Sequence, residues 1–227
     1  MQKRDNATPH SAITYDAHVR QTIPYYDHFH QETVNLIKAI HHTPKQWLDT
    51  GCGTGTLVQK AATEFPDTQF VLADPSTQML KNAKKKLAKT PNITFLEPAP
   101  TEKLSLPKAS FDVVTAIQSH HYLHPNEHAQ ATSVCFNLLA PNGVFVTFEN
   151  IRPLTQRGVE VGKENWKQFQ LASGRDPKTV EEHLKRFGTE YHPLTVNEHL
   201  SELRHAGFSV VELLWYSVMQ AGFYSVK

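Results

Sequence analysis

At 227 residues, with 39% apolar and 20% charged side chains, the chain has enough apolar material for one α/β core and a small added cap. A formal net charge of +1 excludes a global field that would draw the whole molecule to nucleic acid or membrane. Its two cysteines, Cys52 and Cys135, exclude a disulfide framework and suit a reducing compartment.

The polar start, Met1 to Asn6, leads into no apolar signal region, and no run of about 18 apolar residues occurs, so a cytoplasmic protein without a membrane span is expected. The first residues should fray. Segments 11–20 and 24–41 read as helices, the second with an apolar stripe of Val34, Leu36, Ile37 and Ile40. Alternation follows: strand 46–49, helix 55–64, strand 69–73, helix 76–88, strands 92–96 and 111–117, helix 126–138 and strand 143–149. Near-continuous apolar strands joined by crossover helices predict a parallel sheet covered on both faces. Residues 151–193 break the rhythm with amphipathic helices at 162–173 and 177–187. Thr195 and Glu198 predict a capping box for a helix over 195–206, closed by Gly207, and strands 208–218 and 221–226 form a final hairpin. The expected organisation is a single domain over 1–227, with 11–41 as an N-terminal helical cap and 151–193 as a helical insertion.

The most informative stretch is Trp47 to Leu57, where an apolar strand ends in Asp49 and enters the turn Gly51-Cys52-Gly53-Thr54-Gly55. Alternate glycines let the backbone turn sharply and approach a ligand closely. A phosphate loop would end in Gly-Lys-Ser/Thr and a dinucleotide loop would read Gly-x-Gly-x-x-Gly. Here no lysine follows until Lys60, against a phosphate loop, the Gly-x-Gly-x-Gly spacing disfavours a nicotinamide dehydrogenase, and the acid before the turn suits a cationic ligand group. A second acid, Asp74, ends the next apolar run about 20 residues on, where a carboxylate suits a ribose diol. Its bland reading is a first-turn helix acid.

This arrangement resembles motif I of the class I S-adenosylmethionine (SAM) dependent methyltransferases, and Phe111 to Leu123 is similar to their motif IV. The likeness covers essentially residues 30–227. It implies an α/β, Rossmann-like fold with a seven-stranded, mostly parallel sheet whose last strand is antiparallel. It implies SAM as cofactor, held by Asp49, Gly51, Cys52, Gly53 and Gly55 under the methionine part and by Asp74, Pro75, Met79 and Thr101 around the nucleoside. Gln118 and Ser119 would face the methyl group, and His121, His120 and Tyr15 are the candidates for proton removal. The bland reading of the histidine pair is packing and capping, since one of two neighbours must point away. In one place the chain departs from the pattern: Pro100 stands where the family has an acid for the adenine amino group.

The segment Ile13 to Arg20, followed by Ile23-Pro24-Tyr25-Tyr26, is similar to the start of the bacterial tRNA wobble-uridine carboxymethyltransferases, which use carboxy-SAM, and 169–208 runs in their register. In that register the arginine that grips the extra carboxylate falls on Leu184, with Lys185 and Arg186 turned about 100° and 200° away, so ordinary SAM is expected. Residues 11–41 and 151–193 are expected to cover the cofactor, with Tyr15, Tyr25, Tyr26, Trp166 and Tyr191 as a pocket for a small planar acceptor. A tRNA partner would use Lys81, Lys84, Lys85, Lys86 and Lys89, otherwise an ordinary solvated helix face. A non-catalytic SAM-binding protein is a third reading, and a homodimer through the C-terminal hairpin is a further expectation. Fourteen histidines include His41-His42 and the pair His124 and His128, but neither brings a third ligand, so no metal is expected.

Overall fold

A computed structural model describes residues 8–12, 14–41 and 43–227. Residues 1–7, Ile13 and His42 lie outside the described residues, and with them most of the polar start and half of the His41-His42 pair.

Two helices, α1 (Tyr15–Thr22) and α2 (Tyr26–Ile40), precede the first strand. α1 begins at Tyr15 rather than at residue 11: ahead of it the Thr14 N–H donates back to the Ser11 carbonyl at 3.1 Å. The alternating part runs β1 (Gln46–Thr50), α3 (Thr56–Glu64), β2 (Gln69–Ala73), α4 (Thr77–Lys86), β3 (Ile93–Phe95), β4 (Phe111–Ile117), α5 (Pro125–Leu138) and β5 (Leu139–Asn150). β5 starts earlier than expected because Leu139 already pairs with Phe111 across an irregular register.

Then come α6 (Gln156–Ala172), α7 (Pro177–Lys185), α8 (Val196–His205), β6 (Val210–Ser217) and β7 (Gln220–Val226). α6 begins at Gln156, not at residue 162, since Thr155 caps it by accepting from the Gly158 N–H at 3.0 Å. Gly162, inside this helix, is there for space: a Cβ on it would collide with Met219 Sδ. The capping box of α8 forms as expected, Thr195 N–H to Glu198 at 2.6 Å and Glu198 N–H to Thr195 Oγ1 at 3.1 Å.

The sheet has seven strands in the order β3-β2-β1-β4-β5-β7-β6, all parallel except β7, which slots antiparallel between β5 and β6. α2, α3 and α4 pack one face, around Val34, Ile37, Leu57, Val58, Leu80, Phe70 and Phe148. α5 and α8 cover the other, with Cys135, Leu138 and Leu203 against Leu48, Val114, Phe145 and Phe223. The chain winds outward from β1 in one direction and from β4 in the other, so their carboxyl ends leave a crevice at the switch point. α6 and α7 build a separate small core of Trp166, Val180, Leu184 and Met219, tied to α1 by the Trp166 Nε1–H, which donates to the Thr22 carbonyl at 2.6 Å. No helix among the described residues is long and apolar enough to cross a membrane.

Candidate cofactor and active site

The crevice at the switch point is a cavity of about 260 Å³, floored by Asp49, Gly51, Cys52 and Gly53. Gly51, Gly53 and Gly55 all have positive φ, +68°, +54° and +77°. At Gly51 the requirement is also steric, because a Cβ would collide with that of Ser119 and come within 2.7 Å of its hydroxyl. Gly53 has open space where its Cβ would stand, and it lines the cavity. Gly53→Ala should therefore cost only about 1–2 kcal/mol of stability, the strain of a left-handed alanine, while its methyl group weakens cofactor binding. Urea unfolding and calorimetry on the same sample would check both halves, and unchanged affinity would show that the turn is not the binding surface. Gly55 lies outside the cavity, starting α3 against Leu87 and Ala83.

Asp49 is buried, accepting from the Thr115 hydroxyl at 2.7 Å, which in turn accepts from Trp47 Nε1 at 3.0 Å. Burial pushes its carboxyl up to about 7, with the Asp74 charge adding and the Thr115 bond opposing. An acid raised from 3.8 contributes stability that is present below that value and lost as pH rises through about 7. A cationic ligand favours the ionised form, so SAM affinity should rise between about pH 6 and about pH 8. Asp49→Asn should flatten that slope in calorimetric titrations; a slope unchanged by the substitution would rule Asp49 out as its source.

Asp74 is fastened by two backbone donors, Gly53 N–H and Ser76 N–H, both at 2.8 Å. It is not the cap of α4: that is Ser76, whose hydroxyl accepts from Met79 N–H at 3.0 Å. Pro75, Met79, Pro100 and Thr101 complete this end of the wall, and the Thr101 hydroxyl bonds that of Thr50. Cys52 lines the cavity as a thiol that burial holds well above its usual range.

After β4 the chain turns through Gln118, a non-glycine residue at φ +57°. Both amide atoms of Gln118, the Ser119 hydroxyl and His120 Nε2 are buried without a hydrogen-bond partner. All three residues line the cavity. Unpartnered buried polar atoms are rare and costly. Together with the open face of Gly53, they fit a polar ligand such as SAM, which would be held here and on Asp49 and Asp74.

His120 and His121 part company. His120 lines the cavity, and its ring stacks on Phe145, with ring centres 6.2 Å apart, and meets the His128 ring edge-on at 5.6 Å. Burial is the main reason its imidazole drops to about 4, which leaves it neutral at pH 7. His121 is not part of the wall, contrary to expectation. Its Nδ1 meets Glu149 at 2.6 Å and its Nε2 meets the Asn150 amide at 3.1 Å, so both ring nitrogens are occupied. Glu149 is fully buried on β5 and also accepts from the His120 N–H at 3.2 Å, the His121 N–H at 3.0 Å and the Thr147 hydroxyl at 2.7 Å. Against burial, which alone would raise it, the His121 hydrogen bond and charge hold its carboxyl down at about 2. The sequence reading missed Glu149, although an acid inside the apolar run Val144 to Phe148 and Asn150 asks for a buried partner.

On the acceptor side the wall is Tyr15, Tyr26, His30, Tyr122 and Leu123. Tyr15 and Tyr26 hydrogen-bond each other, and burial raises both, Tyr26 to about 12 and Tyr15 well above its ordinary value, so both stay protonated and Tyr15 is a donor rather than a base. His30 was also missed. It lies four residues from Tyr26 and Val34 on the buried face of α2, and burial first of all lowers it to about 4. Tyr25 is 54% exposed, and Trp166 and Tyr191 are buried in the insertion, so none of the three lines the cavity. No residue of 151–193 reaches it either. That segment braces from behind, His192 N–H donating to the His121 carbonyl at 2.7 Å.

α1 is latched over the glycine turn by Asp16, which accepts from the Thr54 hydroxyl at 2.7 Å and pairs with Lys86 at 2.8 Å. Lys86 of the basic run is thereby turned inward, while Lys81, Lys84, Lys85 and Lys89 are exposed. Among the described residues no group of three or more His, Cys, Asp or Glu is placed to hold a metal ion.

Residues 48–143 match the methyltransferase domain family. The carboxy-S-adenosyl-L-methionine synthase of Trichodesmium erythraeum is 25% identical over 203 residues, covering 88% of this chain and 79% of that one. A protein of Nostoc punctiforme superposes with a TM-score of 0.68 at 17% identity, over 95% of this chain and 59% of its own length. The chain thus spans less than two thirds of that neighbour. A SAM-dependent methyltransferase of Leishmania major gives 0.64 at 18% identity, over 98% of this chain and 78% of that one. These two likenesses concern the fold. The acid and glycine turn at the end of β1, the second acid after β2 and the domain match lead to one conclusion: residues 48–143 are a methyltransferase domain of the class I SAM-dependent kind, and the chain carries a likeness to the carboxy-SAM synthases.

Proposed function

We propose that this methyltransferase moves a methyl group from SAM to an oxygen or nitrogen of a small-molecule acceptor. The observation that carries the proposal is the set of unpartnered polar atoms on Gln118 and Ser119 beside a neutral His120, at the mouth of the β1 and β4 crevice. When bound, SAM supplies an electrophilic methyl carbon and keeps the carbon–sulfur electron pair as a neutral thioether. Asp49, Gly51, Cys52 and Gly53 hold its cationic amino acid end, and Asp74 takes the ribose hydroxyls. Pro75, Met79 and Thr101 enclose the base. Tyr15 and Tyr26 orient the acceptor and exclude water, and His120 takes the proton that the acceptor gives up. His121 serves as a prop for His120 through Glu149.

Calorimetric titration with SAM, S-adenosylhomocysteine and NADH tests this reading. The two sulfur nucleosides should bind and NADH should not. Labelled methyl transfer to small molecules should follow, and label in tRNA instead would transfer the proposal to the exposed lysines of α4. Binding without turnover on any pool would leave a SAM-binding protein that is not an enzyme. A second reading, formation of carboxy-SAM, is supported by the relatives alone.

A further inference from the structure

Behind His120 the imidazoles continue away from the cavity. The His120 ring meets that of His128 on α5 edge-on, and His128 in turn meets His199 on α8, with centres 5.6 Å and 5.3 Å apart. All three side chains are buried, and the Nε2 atom of each has no hydrogen-bond partner among the described residues. Buried polar atoms are normally paired, so three unsatisfied rings in a row ask for a reason beyond packing. Among the described residues they are not placed as a metal site.

The three rings are not equivalent. Only that of His128 bonds a carboxylate: its Nδ1 meets Glu202 Oε1 at 2.6 Å, and the Thr132 hydroxyl donates to the same oxygen at 2.7 Å. Burial alone would raise Glu202, but the His128 hydrogen bond and charge hold it below the usual carboxylate range, so it is an anion at pH 7. Burial is the main reason that His120 drops to about 4 and His199 to about 3, and the His128 charge adds to both. The other charged groups acting on His120 are Glu149 of β5 and His121, which are paired with each other. An imidazolium on His120 is therefore costly, whereas one on His128 has an anion in hydrogen-bond contact. Neither His128 nor Glu202 lines the cavity.

Resting on the reading of His120 as the base, we propose that the His128–Glu202 pair stores the proton that His120 removes from the acceptor. An O–H or N–H bond of the acceptor breaks and an N–H bond forms on one ring nitrogen of His120. The proton on the other nitrogen of that ring crosses to His128 Nε2 through one bridging water, for which the unpartnered ring nitrogens supply the polar partners that a buried water needs. His120 is then neutral again, and the charge rests on His128 against Glu202. The methyl group has gone to the acceptor, and its bonding pair stays on the sulfur of S-adenosylhomocysteine. When the product leaves, the proton returns by the same way and passes from His120 to water entering the cavity. His128 and Glu202 are thus positioning residues, which decide where the proton waits.

The test uses the full chain labelled with ¹⁵N-histidine, with S-adenosylhomocysteine bound. As pH is lowered, His128 should be the first of the three rings to give an imidazolium signal, and Glu202→Gln should abolish that order. Imidazolium first on His120 or His199, or an order unchanged in the variant, would overturn the proposal. This arm needs no acceptor. A second arm follows the initial rate of label incorporation from methyl-labelled SAM into a small-molecule extract as a function of pH. Glu202→Gln and His128→Gln should each slow it about tenfold and make it climb with pH, because His120 must then give its proton directly to solvent. Thr132→Val, which removes a bond to the same carboxylate outside the path, should stay within about twofold of wild type. Unchanged rates in the first two variants, or equal slowing in all three at every pH, would mean that the cluster only supports the fold, and would overturn the proposal. No SAM binding by wild type, or a full rate in His120→Gln, is a different result, the failure of the reading on which the store depends.

Discussion

Glu149→Ala should destabilise the protein by about 3–5 kcal/mol, the range for removing one partner of a buried, hydrogen-bonded charge. Four donors converge on this carboxylate: two backbone N–H groups of the turn at His120 and His121, the His121 ring and the Thr147 hydroxyl. Truncation leaves the two backbone N–H groups and the His121 Nδ1 without their carboxylate partner in a site of zero exposure, while the Thr147 hydroxyl keeps the Ala116 carbonyl at 2.9 Å. Glu149→Gln should cost less, since its carbonyl still serves one pair of donors while its amide faces the other. Urea or thermal unfolding measures both, and a melting temperature unmoved by the alanine would show that the turn holds without the anion. The pH dependence has a definite sign. A carboxyl lowered from 4.5 to about 2 gives stability that is present above 4.5 and lost as pH falls through about 2. The gap between wild type and Glu149→Ala should therefore narrow across that acid window and stay constant above it.

His120→Gln should lower kcat by roughly 10²–10⁴, the usual worth of a general base, with SAM affinity little changed. Of the two adjacent histidines only His120 lines the cavity, and its neighbour has both nitrogens engaged. An imidazole lowered from 6.5 to about 4 is neutral over the working range, so this group should introduce no acid limb above about pH 5. The same depression means that its contribution to stability is present above 6.5 and is lost as pH falls through about 4. His121→Gln should instead act mainly on stability, through Glu149. Equal kcat in wild type and His120→Gln, with SAM still bound, would take proton removal away from this residue.

Most of the cavity floor was legible from short-range pattern. Asp49, Gly51, Cys52, Gly53, Asp74, Pro75, Met79, Thr101, Gln118 and Ser119 all reach one cavity because each stands at the carboxyl end of a parallel strand, in the loop beyond it or in the first turn of the helix that follows. In a parallel sheet those ends are gathered on one side by the topology itself. Where helical bounds were misread, the fault was local: α6 begins at Gln156 instead of 162 because the Thr155 side chain supplies its cap. The acceptor wall was less legible. Tyr15 and Tyr26 were named, but Tyr25, Trp166 and Tyr191 were named with equal reason, and nothing in an aromatic residue's spacing says which cavity it faces.

By itself the sequence determined the fold class and the cofactor. Those depend on an acid and three glycines within seven residues, Asp49 to Gly55, and on strands long enough to read as buried. What only the tertiary structure decided is the chemistry of the acceptor side. The register of β5 on β4, with Phe148 beside Ile117, places Glu149 under the turn and so chooses His120 over His121. Packing of α1 on the glycine turn decides that Lys86 is engaged by Asp16, Thr54 and Thr56, while Asp49 and Asp74 line the cavity. Side-chain direction and charge pairing between residues about 30 or more apart are settled by packing, and no local spacing encodes them.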